Sequence, residues 1–144
     1  MLYKQTIQFA LQGGIIDLTC GMTGSAIPVP QAVKQALDAG VPLERLTLSS
    51  DGNGSMPKFN ENNELIGLTA AAPRYLYEEM LSIVKAGVLP FDKALQLITC
   101  NVADALKLED KGRIAVGKDA DLIVWNNDLT LNKVFARGRL MVDG

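Results

Sequence analysis

A chain of 144 residues, 48% of them hydrophobic and 21% charged, has ordinary globular composition and enough length to bury a core. Its net charge of −2 supplies no basic field, which argues against nucleic acid or an anionic membrane as a partner. It contains no histidine, so within itself it builds neither a Ser-His-Asp triad nor a His-based zinc site.

The N-terminal segment reads as an amphipathic helix over about residues 2–12, with Leu2, Ile7, Phe9, Ala10 and Leu11 among polar residues. Gln5, Gln8 and Gln12 interrupt any apolar stretch that a signal peptide would need. No apolar run reaches the ~20 residues that span a bilayer. Gly13-Gly14 ends the helix, and Ile15-Ile16-Asp17-Leu18-Thr19 follows as a short strand. After the loop from Gly21 to Pro28, Pro30 sits in the first turn of a helix over about 30–39 that stops at Gly40. Arg45 to Ser50 is a second strand. The two strands read as buried on both faces, and their order is βαβ, which implies a parallel pair.

Residues 58–64 are polar and read as an exposed loop or hairpin tip. A helix over 72–86 places Leu76, Met80, Ile83 and Val84 on one face and ends at Gly87. Asp92 is placed as the cap of a further helix carrying Phe91, Leu95, Ile98 and Val102 at helical spacing. From Lys111 the pattern is β only, with strands over 120–125, 133–136 and 139–142. The predicted division is therefore a βα part, 1–110, and a β part, 111–144. Cys20 and Cys100 form no CxxC pair and read as reduced thiols of a cytoplasmic protein. Two parallel strands leave open edges, so another portion of sheet or another copy of the chain is expected to cover them.

The chemistry concentrates in Thr47-Leu48-Ser49-Ser50-Asp51-Gly52-Asn53-Gly54-Ser55. Asp51 closes a strand, at the end of a parallel sheet where ligands bind. Gly52 and Gly54 allow backbone to approach closely, and the Ser55 hydroxyl can donate to a substrate oxygen. An ionised Asp is a hard ligand for a cation or a base for a metal-activated water. The competing reading is an Asx-type turn, in which Asp51 and Asn53 bond only local backbone. A calcium loop fails because Met56 stands where Gly is required and Asn62 where Glu is required. A GxGxxG phosphate loop fails at Pro57.

The stretches LTLSSDGNGS, ALQLITCNVADALKL and KGRIAVGKDADLIVW, with VFARGRLMVDG, resemble the C-terminal part of bacterial isoaspartyl dipeptidases of the amidohydrolase superfamily. The resemblance runs through nearly the whole chain. SSDGNGS is its narrow element, whereas GRIAVGKDADLIVW marks the superfamily broadly. It implies an α/β fold: the last two βα units of a metal-dependent (β/α)8 barrel, here incomplete, plus C-terminal strands of a small β-sandwich. Ile15 to Thr19 would be strand 7 and Arg45 to Ser50 strand 8. Two zinc ions would sit at the barrel mouth of the complete enzyme, held mainly by histidines and a lysine on other strands. Asp51 would touch the metal and shuttle the proton of a metal-bridging hydroxide, while Ser55 would bind the isoaspartyl dipeptide substrate.

Asp51's partners are then expected upstream of Met1. The isolated chain is expected to be inactive and to bind no zinc tightly, and the enzyme to be a homo-oligomer. Alternatives are a non-enzymatic binding or assembly module, and a different amidohydrolase chemistry, dihydroorotase-like or deaminating.

Overall fold

The computed structural model describes residues 2–22 and 27–144. The chain divides into two compact units, one running through Val102 and the other Ala103–Gly144, whereas the sequence pattern places the change after residue 110. Among the described residues the fold is mixed α/β, with three small sheets and no closed barrel. No helix among them is long and apolar enough to cross a membrane.

In the first unit, α1 (Leu2–Leu11) buries Ile7 and Ala10 and leaves Phe9 exposed. Gly13, at φ +98, turns the chain out of the helix. The strands β1 (Ile16–Thr19) and β2 (Leu46–Ser49) pair in parallel, with Ile16 opposite Leu46 and Thr19 opposite Ser49. Between them runs α2 (Val29–Asp38), whose Val29, Ala32, Val33 and Ala36 form a buried stripe. Pro30 lies in its first turn, where a missing N–H costs nothing.

The strands are not apolar on both faces: Leu46, Thr47 and Leu48 of β2 are all buried as expected, whereas β1 leaves Asp17 exposed. Ile16, Leu18, Leu46 and Leu48 join the core with Val33, Met80, Ile83 and Leu97. The alternate residues Asp17, Thr19, Thr47 and Ser49 share the opposite, polar face, as the period of two in a strand requires. β-Branched Thr19 and Thr47 read like the apolar members of such a run, although each carries a hydroxyl.

A hairpin follows Asp51. Its strands β3 (Ser55–Phe59) and β4 (Leu65–Ala70) are antiparallel, and its tip is the polar segment 60–64. Asn60 Oδ1 accepts from the backbone N–H groups of Asn62 (3.0 Å) and Glu64 (2.9 Å), which fixes the tip. Pro57 lies within β3, and Leu65, Ile66 and Leu68 of β4 are exposed, so no one-sided apolar pattern announces these strands.

The helix α3 (Tyr75–Lys85) buries Met80 and Ile83. The next helix, α4 (Phe91–Gln96), has Pro90 at its N-cap position, and Asp92 lies inside the first turn instead of capping it. The apolar repeat from Phe91 to Val102 is split, because a separate helix, α5 (Cys100–Ala105), starts after Thr99. Thr99 Oγ1 donates back to the Leu95 carbonyl at 2.7 Å, a bond that competes with regular helix.

The second unit carries a three-stranded antiparallel sheet in the order β5 (Leu122–Trp125), β6 (Leu131–Ala136), β7 (Arg139–Asp143). Arg137-Gly138 makes the turn between the last two, with φ of +48 and +74. Lys111 ties the preceding loop to the sheet through Asp119 (2.6 Å) and Asp121 (2.5 Å).

Candidate active site

β2 delivers Asp51 to the carboxyl end of the parallel pair. Asp51 has φ +47 and Asn53 φ +65, in the left-handed region that Asp and Asn tolerate better than most residues. The turn is closed by the Gly54 N–H donating to the Asp51 carbonyl at 2.7 Å. A Cβ on Gly54 would stand 2.8 Å from that carbonyl oxygen, so only glycine fits without moving Asp51. Ala71 anchors the loop from the far side, accepting from Asn53 N–H and donating to the Gly54 carbonyl, both at 2.9 Å.

The Asp51 side chain does not fold back onto this local backbone in the manner of an Asx turn. Its carboxylate reaches the polar face of the strands: Thr19 Oγ1 is 3.4 Å from Oδ2, and Ser49 Oγ is 3.5 Å from Oδ1. These are long contacts that leave the exposed carboxylate available for further partners. Ser55 opens β3 and is exposed, on the segment that Asp51 begins. A second carboxylate, absent from the sequence-based site, lies on β1. Asp17 accepts from Thr47 Oγ1 at 2.7 Å and from Ser49 Oγ at 2.5 Å. The alternation Ile16-Asp17-Leu18-Thr19 beside Leu46-Thr47-Leu48-Ser49 is the signal that could have found it.

Behind this face lies the buried Cys20. Burial, then the nearby carboxylates of Glu79, Asp17 and Asp51, push its thiol pKa up to about 12. It is therefore a neutral thiol at physiological pH and a poor metal ligand or nucleophile.

The family model for the amidohydrolase family matches residues 28–141. The chain belongs to the amidohydrolase family. This amidohydrolase chain is 34% identical over 112 residues to an imidazolonepropionase from Anaeromyxobacter sp. (strain K), covering 78% of this chain and 22% of that protein. It is similar to a crystal structure of β-aspartyl dipeptidase from Fervidobacterium islandicum AW-1 in complex with β-Asp-Leu dipeptide, with 33% identity and TM-score 0.84. That match covers 99% of this chain and 36% of the dipeptidase. An N-acetylglucosamine-6-phosphate deacetylase from Thermotoga maritima, 18% identical with TM-score 0.66 over 90% of this chain, shares the fold. The chain thus spans well under half the length of each of these relatives.

Family membership raises the question of a metal. Among the described residues no group of three or more His, Cys, Asp or Glu side chains could hold one. A catalytic zinc takes three protein ligands, with histidine prominent among them. The exposed Asp51 carboxylate could supply one ligand, and the donors among the described residues do not make a complete site.

Proposed function

We propose that this chain forms part of an amidohydrolase that cleaves the β-aspartyl amide bond of isoaspartyl dipeptides. The observation that carries the reading is Asp51, held at the carboxyl end of a parallel strand within a region 33% identical to a β-aspartyl dipeptidase and matching it with TM-score 0.84. The share of that enzyme spanned, 36%, supports a working unit in which other barrel strands complete the site. They would come from further polypeptide or from another copy of the chain.

In that assembled enzyme Asp51 acts as the proton carrier. Its carboxylate takes a proton from the attacking water as the water oxygen bonds to the β-carbonyl carbon. It then returns a proton to the amide nitrogen as the C–N bond breaks, releasing aspartate and a free amine. In the same reading the Ser55 hydroxyl donates to a substrate carboxylate. A bound divalent metal would acidify the water and polarise the carbonyl. The other ligands for that metal, two zinc ions in our reading, would come from outside this chain.

The test is hydrolysis of β-Asp-Leu by the assembled enzyme, this chain with the polypeptide supplying the remaining strands, with and without a chelator. Chelator-sensitive release of leucine is expected. A preparation that leaves β-Asp-Leu intact would overturn the reading. The 34% identity to an imidazolonepropionase favours one second reading, hydrolysis of a cyclic amide. Turnover of imidazolone propionate in place of the dipeptide would select it.

A further inference from the structure

Ser49 stands between two carboxylates and has a single proton to give. Its Oγ lies 2.5 Å from Asp17 Oδ2 and 3.5 Å from Asp51 Oδ1. A hydroxyl donates one hydrogen bond, so it serves one acceptor at a time. The distances decide for Asp17. We propose that Asp17 is a positioning residue: by accepting the Ser49 hydroxyl proton it keeps that proton off Asp51, leaving the Asp51 carboxylate uncommitted for the reacting centre. The functional half of this proposal rests on the hydrolase reading above.

The neighbouring contacts support the division of roles. Asp17 takes two short hydroxyl bonds, from Ser49 and from Thr47 at 2.7 Å. Among the described residues Asp51 has two long ones, to Ser49 and to Thr19 at 3.4 Å. Thr47 sits directly opposite Asp17 in the strand register and is buried, so its hydroxyl must keep an acceptor. An ionised carboxylate has an oxygen for each hydroxyl. An amide in its place has one oxygen and one NH2 group. In Asp17→Asn the oxygen faces the buried Thr47, and the NH2 group faces Ser49 and donates to it. The Ser49 proton is then released from Asp17 and free to turn to Asp51, its other acceptor among the described residues. A hydrogen bond to that carboxylate lowers its capacity to take a proton and has to be broken during turnover.

In the assembled enzyme Asp17→Asn is expected to lower kcat about ten- to a hundredfold, the worth of one hydrogen bond to a charged group, with KM little changed. Adding Ser49→Ala to Asp17→Asn is expected to restore kcat to within a few-fold of Ser49→Ala alone. The negative charge lost is the same in the single and the double variant, so recovery reports the hydroxyl and nothing else. A loss that persists in the double variant overturns the proposal.

A second measurement needs neither activity nor a substitution. Neutron diffraction from deuterium-exchanged crystals of the unmodified chain locates the Ser49 deuteron. Density pointing to Asp17 is expected, and density pointing to Asp51 overturns the proposal even if the kinetics agree. Should the unmodified assembled enzyme fail to cleave β-Asp-Leu, the dipeptidase reading falls, and the neutron result alone then decides which carboxylate holds the proton.

Discussion

Asn101 donates its Nδ2 to the carbonyl of Leu46 at 2.9 Å, which ties α5 to the first residue of β2. The same nitrogen donates to Leu43 at 2.8 Å, and the side chain is buried. One amide therefore bridges a helix and the entry to the strand that ends at Asp51. Asn101→Leu keeps similar volume but removes both donors. It is expected to destabilise the chain by about 1–3 kcal/mol, because the Leu46 carbonyl loses a buried donor while the Leu43 carbonyl keeps the Leu46 N–H. The urea midpoint should fall with the slope unchanged. A midpoint equal to wild type would mean that these carbonyls are satisfied elsewhere.

Asp51→Asn tests the central assignment. Asparagine tolerates the φ of +47 found here, so the turn has no new reason to strain. The substitution removes the charge and the capacity to carry a proton. In the assembled enzyme kcat is expected to fall by at least about 10²-fold, within the range that general acid–base groups supply. Circular dichroism and melting temperature should barely move. Near-normal turnover would make Asp51 a turn residue with no part in the chemistry.

The strand-end aspartate is legible in the sequence because a β-favouring run, one carboxylate and two glycines stand in immediate succession. The α1–β1–α2–β2 order is legible too, since Gly13, Pro30 and Gly40 punctuate it. Asp17 is hidden for a physical reason. It sits inside a run whose other members are apolar or β-branched, and a four-residue strand offers only two periods of alternation. Of the hairpin after Asp51 the polar tip is legible but the strands are not, because every residue of β4 is exposed and no buried face leaves an alternating imprint. The cap at Asp92 fails because Pro90 fixes the helix start two residues earlier.

Gly54→Ala should act on Asp51 without changing its side chain chemically. The added Cβ would meet the Asp51 carbonyl oxygen at 2.8 Å, a backbone atom that cannot rotate away. Asp51 must shift, and misplacement of a reacting group by about 1 Å can cost ~10²-fold in rate. We expect kcat to fall at least about tenfold on this basis. Gly52→Ala is the comparison, since its Cβ would meet the Pro73 side chain at 3.1 Å, where a neighbour can yield by a few tenths. Equal effects from the two substitutions would separate Asp51 position from rate.

The second unit should lose stability on both sides of neutrality. The Lys111 ammonium, then the Arg137 backbone N–H at 2.8 Å, hold the Asp121 carboxyl below the ordinary carboxylate range. Asp119, then Asp121, raise the Lys111 ammonium above its own ordinary value. A depressed carboxyl contributes stability that is whole above about pH 3.9, the unfolded value, and disappears as pH falls through the lower folded value. A raised ammonium contributes stability that is whole below about pH 10.4 and disappears as pH climbs through the higher folded value. The single tryptophan, Trp125 on β5, lets fluorescence follow this sheet directly. Its thermal midpoint should be level near neutrality and decline towards both extremes. Lys111→Met should flatten the alkaline limb and reduce the acid one. The acid limb persists in part because Asp104, bonded to Arg113, and Asp128, bonded to Thr130, are also held low. Superimposable curves for wild type and Lys111→Met would show that the Lys111–Asp121 contact contributes nothing to folding, as isolated exposed pairs often do not.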